Sequence, residues 1–298
     1  MRGGLVRIVA VALALAAAGC RLPGREGPVS QSLVASRQFC QQGVAAIERD
    51  EWEQAEKLLA DAVKTCPSDP DARRHYAEAL WHRGEHKEAV NELEEACRQA
   101  LDDPSLHVLL AERRLAMGHV ELARQGAQSA IDLDPKHAGA WALRGRVSRA
   151  HGQTSQALAD YHRALGLAPH DRAILLEIAE LYRELNRPER ALATLHTLSD
   201  AYSPGQEPQQ VLYFEGLAYE ALQRWDEAVE SFSAARNRQR PTPEILFRLA
   251  RAEWFAGRPA QAAAAAREAL ALDPGHQPSR ELLDRAELAL RSDGPLRR

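Results

Sequence analysis

Apolar positions along this chain return at helical spacing, in paired stretches separated by short polar turns. Residues 138–171, AGAWALRGRVSRAHGQTSQALADYHRALGLAPHD, show the pattern most plainly. Two amphipathic stretches meet at His151, Gly152 and Gln153, and Pro169 stops the second, because a proline cannot continue the helical ladder. Trp141, Tyr161 and Leu165 stand on the faces such a pair would bury. Gly145, Ala157 and Ala164 stand where the two helices must approach closely. Long β-branched runs alternating with polar residues are missing, so the pattern predicts an all-α protein without a sheet.

The pair repeats. An alanine column in the second helix runs Ala55, Ala89, Ala123, Ala157, Ala191, Ala228 and Ala262, in steps of 34 residues with a single step of 37. A small-residue column in the first helix runs Gly43, Ala77, Ala111, Gly145, Ala179, Gly216 and Ala250. A third runs Ala62, Ala96, Ala130, Ala164, Leu198, Ala235 and Ala269. The reason is steric: antiparallel helices close up only where a methyl or a hydrogen replaces a large side chain, and bulky neighbours fill the grooves. Repeats are expected at 36–69, 70–103, 104–137, 138–171, 172–208, 209–242 and 243–276. The three extra residues lie in YSPGQEP, 202–208. That stretch reads either as a slight hinge between five repeats and two, or as a loop insertion, which surface loops absorb cheaply. Residues 277–291 read as one more amphipathic helix capping the open apolar face, and 292–298 as a disordered tail.

These columns resemble the tetratricopeptide repeat (TPR) family over about 80% of the chain. The resemblance implies a right-handed α-solenoid of about seven helix-turn-helix repeats with a C-terminal capping helix. It also implies that the first helix of each repeat lines a concave groove. Carried onto this sequence, the partner-binding candidates are Trp81, Leu115, Arg146, Arg149, Arg183, Tyr213, Phe247, Arg251, Trp254 and Phe255. Aromatic and arginine side chains are the usual anchors of protein interfaces, and aromatics are only 5% of this chain. Trp52, Trp141 and Trp225 fall where the family packs a large residue and are assigned to the core. Arg144 stands where the family buries Leu and Ser148 where it places Tyr. With Arg146 and Arg149 they predict a cationic middle of the groove that takes an acidic segment. The family variant that clamps a C-terminal carboxylate needs Lys and Asn where repeat one has Cys40 and Val44.

The N-terminus reads differently. Residues 1–20, MRGGLVRIVAVALALAAAGC, carry Arg2 and Arg7 ahead of an apolar run too short to span a bilayer, the form of a secretory signal. Its end resembles the bacterial lipobox, with Ala17 where Leu is usual. That resemblance implies that Cys20 becomes the lipidated first residue, and that Arg21 after it favours the outer membrane, facing the periplasm. Residues 21–35 carry Pro23, Gly24, Gly27 and Pro28 and read as a flexible tether.

Composition removes whole classes of chemistry. Lys and Arg number 38 against 42 Asp and Glu, a net charge of −4, so no basic excess points to nucleic acid. Sequence motifs of metalloproteases, P-loop nucleotide binders, serine hydrolases and dinucleotide binders are missing. No catalytic residue, cofactor or small-molecule substrate is expected. His75 and His82, seven apart on one helix, lack further ligands, and no metal is expected. In an exported protein Cys40 and Cys66, at neighbouring ends of an antiparallel pair, make a reasonable disulfide, with Cys97 the alternative partner for Cys66 and three inert thiols the remaining reading. The expectation is a non-enzymatic, lipid-anchored scaffold. It holds a peptide or helix of another envelope protein and assists assembly of a pilus, secretion or outer-membrane machine. The alternative is an accessory subunit of a cell-wall or polysaccharide enzyme.

Overall fold

The computed structural model describes residues 31–292, which form fifteen α-helices and, among the described residues, no strand. The chain divides into two compact units at Ala100 and Leu101. The first holds α1 (Gln31–Ile47), α2 (Trp52–Thr65), α3 (Pro70–His82) and α4 (His86–Gln99). The second holds α5 (Pro104–Ala116), α6 (Val120–Leu133), α7 (Ala138–Ala150), α8 (Thr154–Leu167), α9 (Arg172–Glu184) and α10 (Pro188–Ser199). It continues with α11 (Gln209–Ala221), α12 (Trp225–Arg238), α13 (Pro243–Phe255), α14 (Pro259–Leu272) and α15 (Gln277–Ser292). Odd-numbered helices open a pair and even-numbered helices close it. The last helix, α15, packs on α13 and α14. The all-α solenoid of helix pairs expected from the columns is therefore the fold. One boundary differs: α1 begins at Gln31, so residues 31–35 are helical rather than tether. The signal segment, Cys20 and the rest of the tether, together with 293–298, lie outside the described residues.

Each pair turns through one left-handed residue. The positions are Asp50, Gly84, Gly118, Gly152, Asn186, Gln223 and Gly257, all at positive φ. Next to each, the following N–H bonds back across the turn, as in Glu85 N–H to the Leu80 carbonyl (2.9 Å) and Arg224 N–H to the Tyr219 carbonyl (2.9 Å). This closes the orphan carbonyls of the first helix. Glycine meets the φ requirement at four of the seven turns.

A second column starts the opening helices. Asp69, Asp103 and Asp171 accept hydrogen bonds from the first-turn N–H groups of α3, α5 and α9, and Thr242 does the same for α13. His137 and His276 occupy the same register. His137 Nδ1 accepts from Ala140 N–H (3.1 Å), and His276 Nδ1 accepts from Ser279 N–H (3.3 Å). These histidines are helix caps, a structural task that satisfies donors the helix itself cannot.

Packing inside a pair is a size-for-size match. A Cβ on Gly216 would lie 2.5 Å from the Phe232 ring, one on Gly145 2.8 Å from Tyr161, and one on Gly43 2.6 Å from Leu59. Where the column carries alanine instead, as at Ala179 and Ala250, the facing positions are Leu195 and Ala266, all buried. The two largest fully buried side chains, Tyr161 and Phe232, both stand opposite glycine, as close packing demands.

The longer loop at 202–208 is tied down. Arg172 lies 4.5 Å from the Tyr202 ring centroid, and Arg238 bonds the Gly205 carbonyl and the Glu207 carboxylate. The division between compact units falls elsewhere, at Ala100.

The Cys40–Cys66 disulfide is not formed: Cys40, Cys66 and Cys97 are buried free thiols. Burial, then the charges of Asp69 and Asp71, push the Cys40 thiol up to about 11. Such a thiol is a poor nucleophile, because the thiolate is the reactive form. It packs as a small apolar residue beside Ala46, Leu59 and Ala62.

Candidate functional site

The second unit carries two adjoining clefts near its end. The first, about 500 Å³, is lined by Arg183 of α9, Tyr213, Phe214, Leu217 and Glu220 of α11, Trp225 of α12, and Arg248 and Arg251 of α13. The second, about 270 Å³, lies between α13 and α15. Phe247, Arg251, Trp254 and Phe255 line one side, and Pro278, Glu281, Leu282 and Arg285 the other.

Helical spacing puts these groups together. Tyr213, Leu217 and Glu220 fall on one face of α11 at intervals of four and three, as do Phe247, Arg251 and Trp254 on α13. Tyr213 sits 5.9 Å from the rings of Phe214 and Phe232, and burial followed by the Glu244 charge raises its hydroxyl above the usual tyrosine range. Phe255 is 51% exposed, while one face of its ring stacks on Trp225 at 4.5 Å. Glu220 is nine-tenths buried, and its Oε1 accepts from Arg248 (3.1 Å) and Arg251 (2.7 Å). Arg248 also donates to Glu244 (2.6 Å). Arg183 is exposed and lies over the Phe214 ring at 5.9 Å.

Of the sequence candidates, Arg183, Tyr213 and Arg251 meet at the first cleft. Phe247, Arg251, Trp254 and Phe255 meet at the second. Trp254 does more packing than expected, against Ala262, Ala263 and Ala286. Leu115 packs into the core of α5–α7 with Val120 and Trp141. Trp81 belongs to the first unit, where it stacks on His86 at 4.2 Å.

The cationic middle is overturned. Arg144 is bound by both Asp160 oxygens (3.0 and 2.7 Å) and by Gln128 (3.0 Å), and Asp160 is 2% exposed. It is an interior ion pair between α7 and α8, and Ser148, one turn further along α7, is buried. Arg146 is paired with Glu112. Arg149 meets Glu177 (3.0 Å), Glu180 (3.0 Å) and Glu184. Burial works against the Arg149 charge, but Glu184 and Glu180 outweigh it and hold the guanidinium firmly protonated. Four carboxylates thus face two guanidiniums, and this patch is acidic.

Sequence reasoning missed Phe214, Arg248 and Trp225 as cleft residues. A signal existed for Trp225. It opens α12 in the register in which Trp52 opens α2, and each stacks on the residue thirty positions on: Trp52 on His82 at 3.5 Å, Trp225 on Phe255. That register is a contact between successive repeats, and in the later one it presents an aromatic ring to the cleft.

The arrangement is built of aromatic, aliphatic, arginine and glutamate side chains. Among the described residues, no group of three or more His, Cys, Asp or Glu side chains is placed to hold a metal ion. What it offers is apolar seats rimmed by arginine, the chemistry of protein recognition.

Known proteins match along these helix pairs. A tetratricopeptide repeat model matches residues 40–104, 108–172 and 213–277, and a second one matches 148–212. The human FK506-binding protein-like is 27% identical over 183 residues, 58% of this chain and 48% of that protein, so the chain spans about half the length of that relative. A tetratricopeptide repeat protein from Parabacteroides merdae superposes with a TM-score of 0.59 at 14% identity, over 87% of this chain and 100% of that one. YrrB, described as a TPR protein with an unusual peptide-binding site, superposes with a TM-score of 0.55 at 16% identity, over 63% and 96%. At such identities the structural likeness is one of fold. With the repeat models covering more than half of the sequence, on the helix pairs that the columns and turns define, the chain belongs to the tetratricopeptide repeat family, whose repeats serve as protein-interaction scaffolds.

Proposed function

We propose that this chain is a lipid-anchored scaffold of the bacterial envelope. Cys20 tethers it to the outer membrane, facing the periplasm, and the clefts on α9–α15 hold a peptide or helix of another envelope protein. Its task is to position that partner during assembly of a pilus, secretion or outer-membrane machine, without bond chemistry. The observation that carries the binding role is the half-exposed Phe255, stacked on Trp225 of the first cleft and set with Phe247, Arg251 and Trp254 in the second. A large exposed aromatic ringed by polar groups marks an interaction surface more often than a solitary surface residue does. The anchor rests on the signal-like residues 1–20 and their lipobox-like end. The likeness to a peptide-binding repeat protein fits the same reading.

The test is co-purification from envelope extracts. Phe255→Ala with Arg183→Ala should lose the partner by about ten-fold or more while helicity is kept. Cys20→Ser should abolish palmitate labelling and move the protein off the membrane. Trp254→Ala is the poorer probe, because that ring also packs on α14 and α15. Full retention of every partner by the double variant rejects the assignment of the clefts.

A further inference from the structure

The two clefts share a wall. Arg251 lines both, and Phe255 faces the second cleft while its ring rests on Trp225 of the first. Each has aromatic or aliphatic sides, so together they make two neighbouring seats for large apolar side chains of one segment.

The charges determine what accompanies those side chains. Arg248 and Arg251 are already answered by Glu220 and Glu244. Arg183 lines the same cleft, exposed, and among the described residues no carboxylate bonds its guanidinium. The cleft therefore has an exposed cation that no carboxylate among the described residues answers. A carboxylate of the occupant answers it. Further acidic residues meet a barrier. Glu184 follows Arg183 in the chain, and with Glu112, Glu177 and Glu180 it outnumbers Arg146 and Arg149 on the adjoining surface. Like charges set against each other reject a partner.

Resting on the scaffold reading above, we propose that the occupant is a peptide segment with two large apolar side chains and a single Asp or Glu. The carboxylate lies at Arg183, and polyacidic segments are turned away by the surplus carboxylates of α9. A random dodecapeptide library displayed on phage, panned on the full chain, tests this. Enriched peptides should carry two of Trp, Phe, Tyr, Leu or Ile and one acidic residue. Panning on Arg183→Glu should replace the acidic residue by Lys or Arg. A synthetic copy of a wild-type-selected peptide should bind Arg183→Glu and Phe255→Ala about ten-fold more weakly. Unchanged selection by Arg183→Glu, or enrichment of polyacidic peptides, overturns the proposal. Peptides that need Phe255 but show no acidic preference overturn it and leave the scaffold standing. If no peptide depends on Phe255, both fall.

Discussion

At the scale of single residues, the fold rests on contacts where one atom decides. Gly216 faces Phe232 with no room for a methyl, and Gly145 faces Tyr161 in the same way. Gly216→Ala should cost about 1–3 kcal/mol, the usual penalty of overpacking a filled interior, read as a lower urea midpoint. In Gly216→Ala with Phe232→Leu the loss should be smaller than the sum of the two single losses, since the pair is in contact. Additive losses would mean that the ring and the glycine do not constrain each other. This match was legible in the sequence, because the glycine column and the large residues sixteen positions on recur in phase. Phe255 stood among the groove candidates by resemblance, but its stacking on Trp225 was not legible, because Trp225 stands where the family packs a large core residue.

At the scale of helices, the sequence misled over charge. Arg144, Arg146 and Arg149 looked like an uncompensated cationic row because each helix was considered alone. Their partners lie about one repeat away: Glu112 is 34 residues before Arg146, and Glu180 and Glu184 are 31 and 35 after Arg149. A period of 34 places such residues on neighbouring helices, so reading the columns between repeats would have found them. Arg144 is the exception, paired within its own repeat at a separation of 16. Removing one side of that buried pair strands the other. Arg144→Leu should therefore destabilise by about 3–5 kcal/mol, and adding Asp160→Leu should restore stability to near the starting level. A single variant as stable as the parent would show that Asp160 is not held by this pairing. The measurement is again the denaturation midpoint, with circular dichroism confirming helix content.

At the scale of the molecule, helix pairs stack because each alone leaves an apolar face open, and α15 closes the last one through Leu282, Leu283 and Ala286. That cover also makes the second cleft, since Pro278 and Leu282 form its far side. The end of the second unit is thus both a lid on the core and part of the candidate binding surface. The amphipathic pattern of residues 277–291 foretold the lid. That pattern did not foretell the cleft, which arises from the fit between α13 and a helix outside the repeat register. The measurement that bears most directly on the binding role is in-cell photo-crosslinking. A photoreactive residue replaces Phe255 in one strain and, as a control, the exposed Leu122 of α6 in another. A binding surface at Phe255 predicts a discrete envelope-protein adduct from position 255, diminished by Arg183→Glu and missing from position 122. The same adducts from both positions, or none from 255 while the partner still co-purifies, would contradict it.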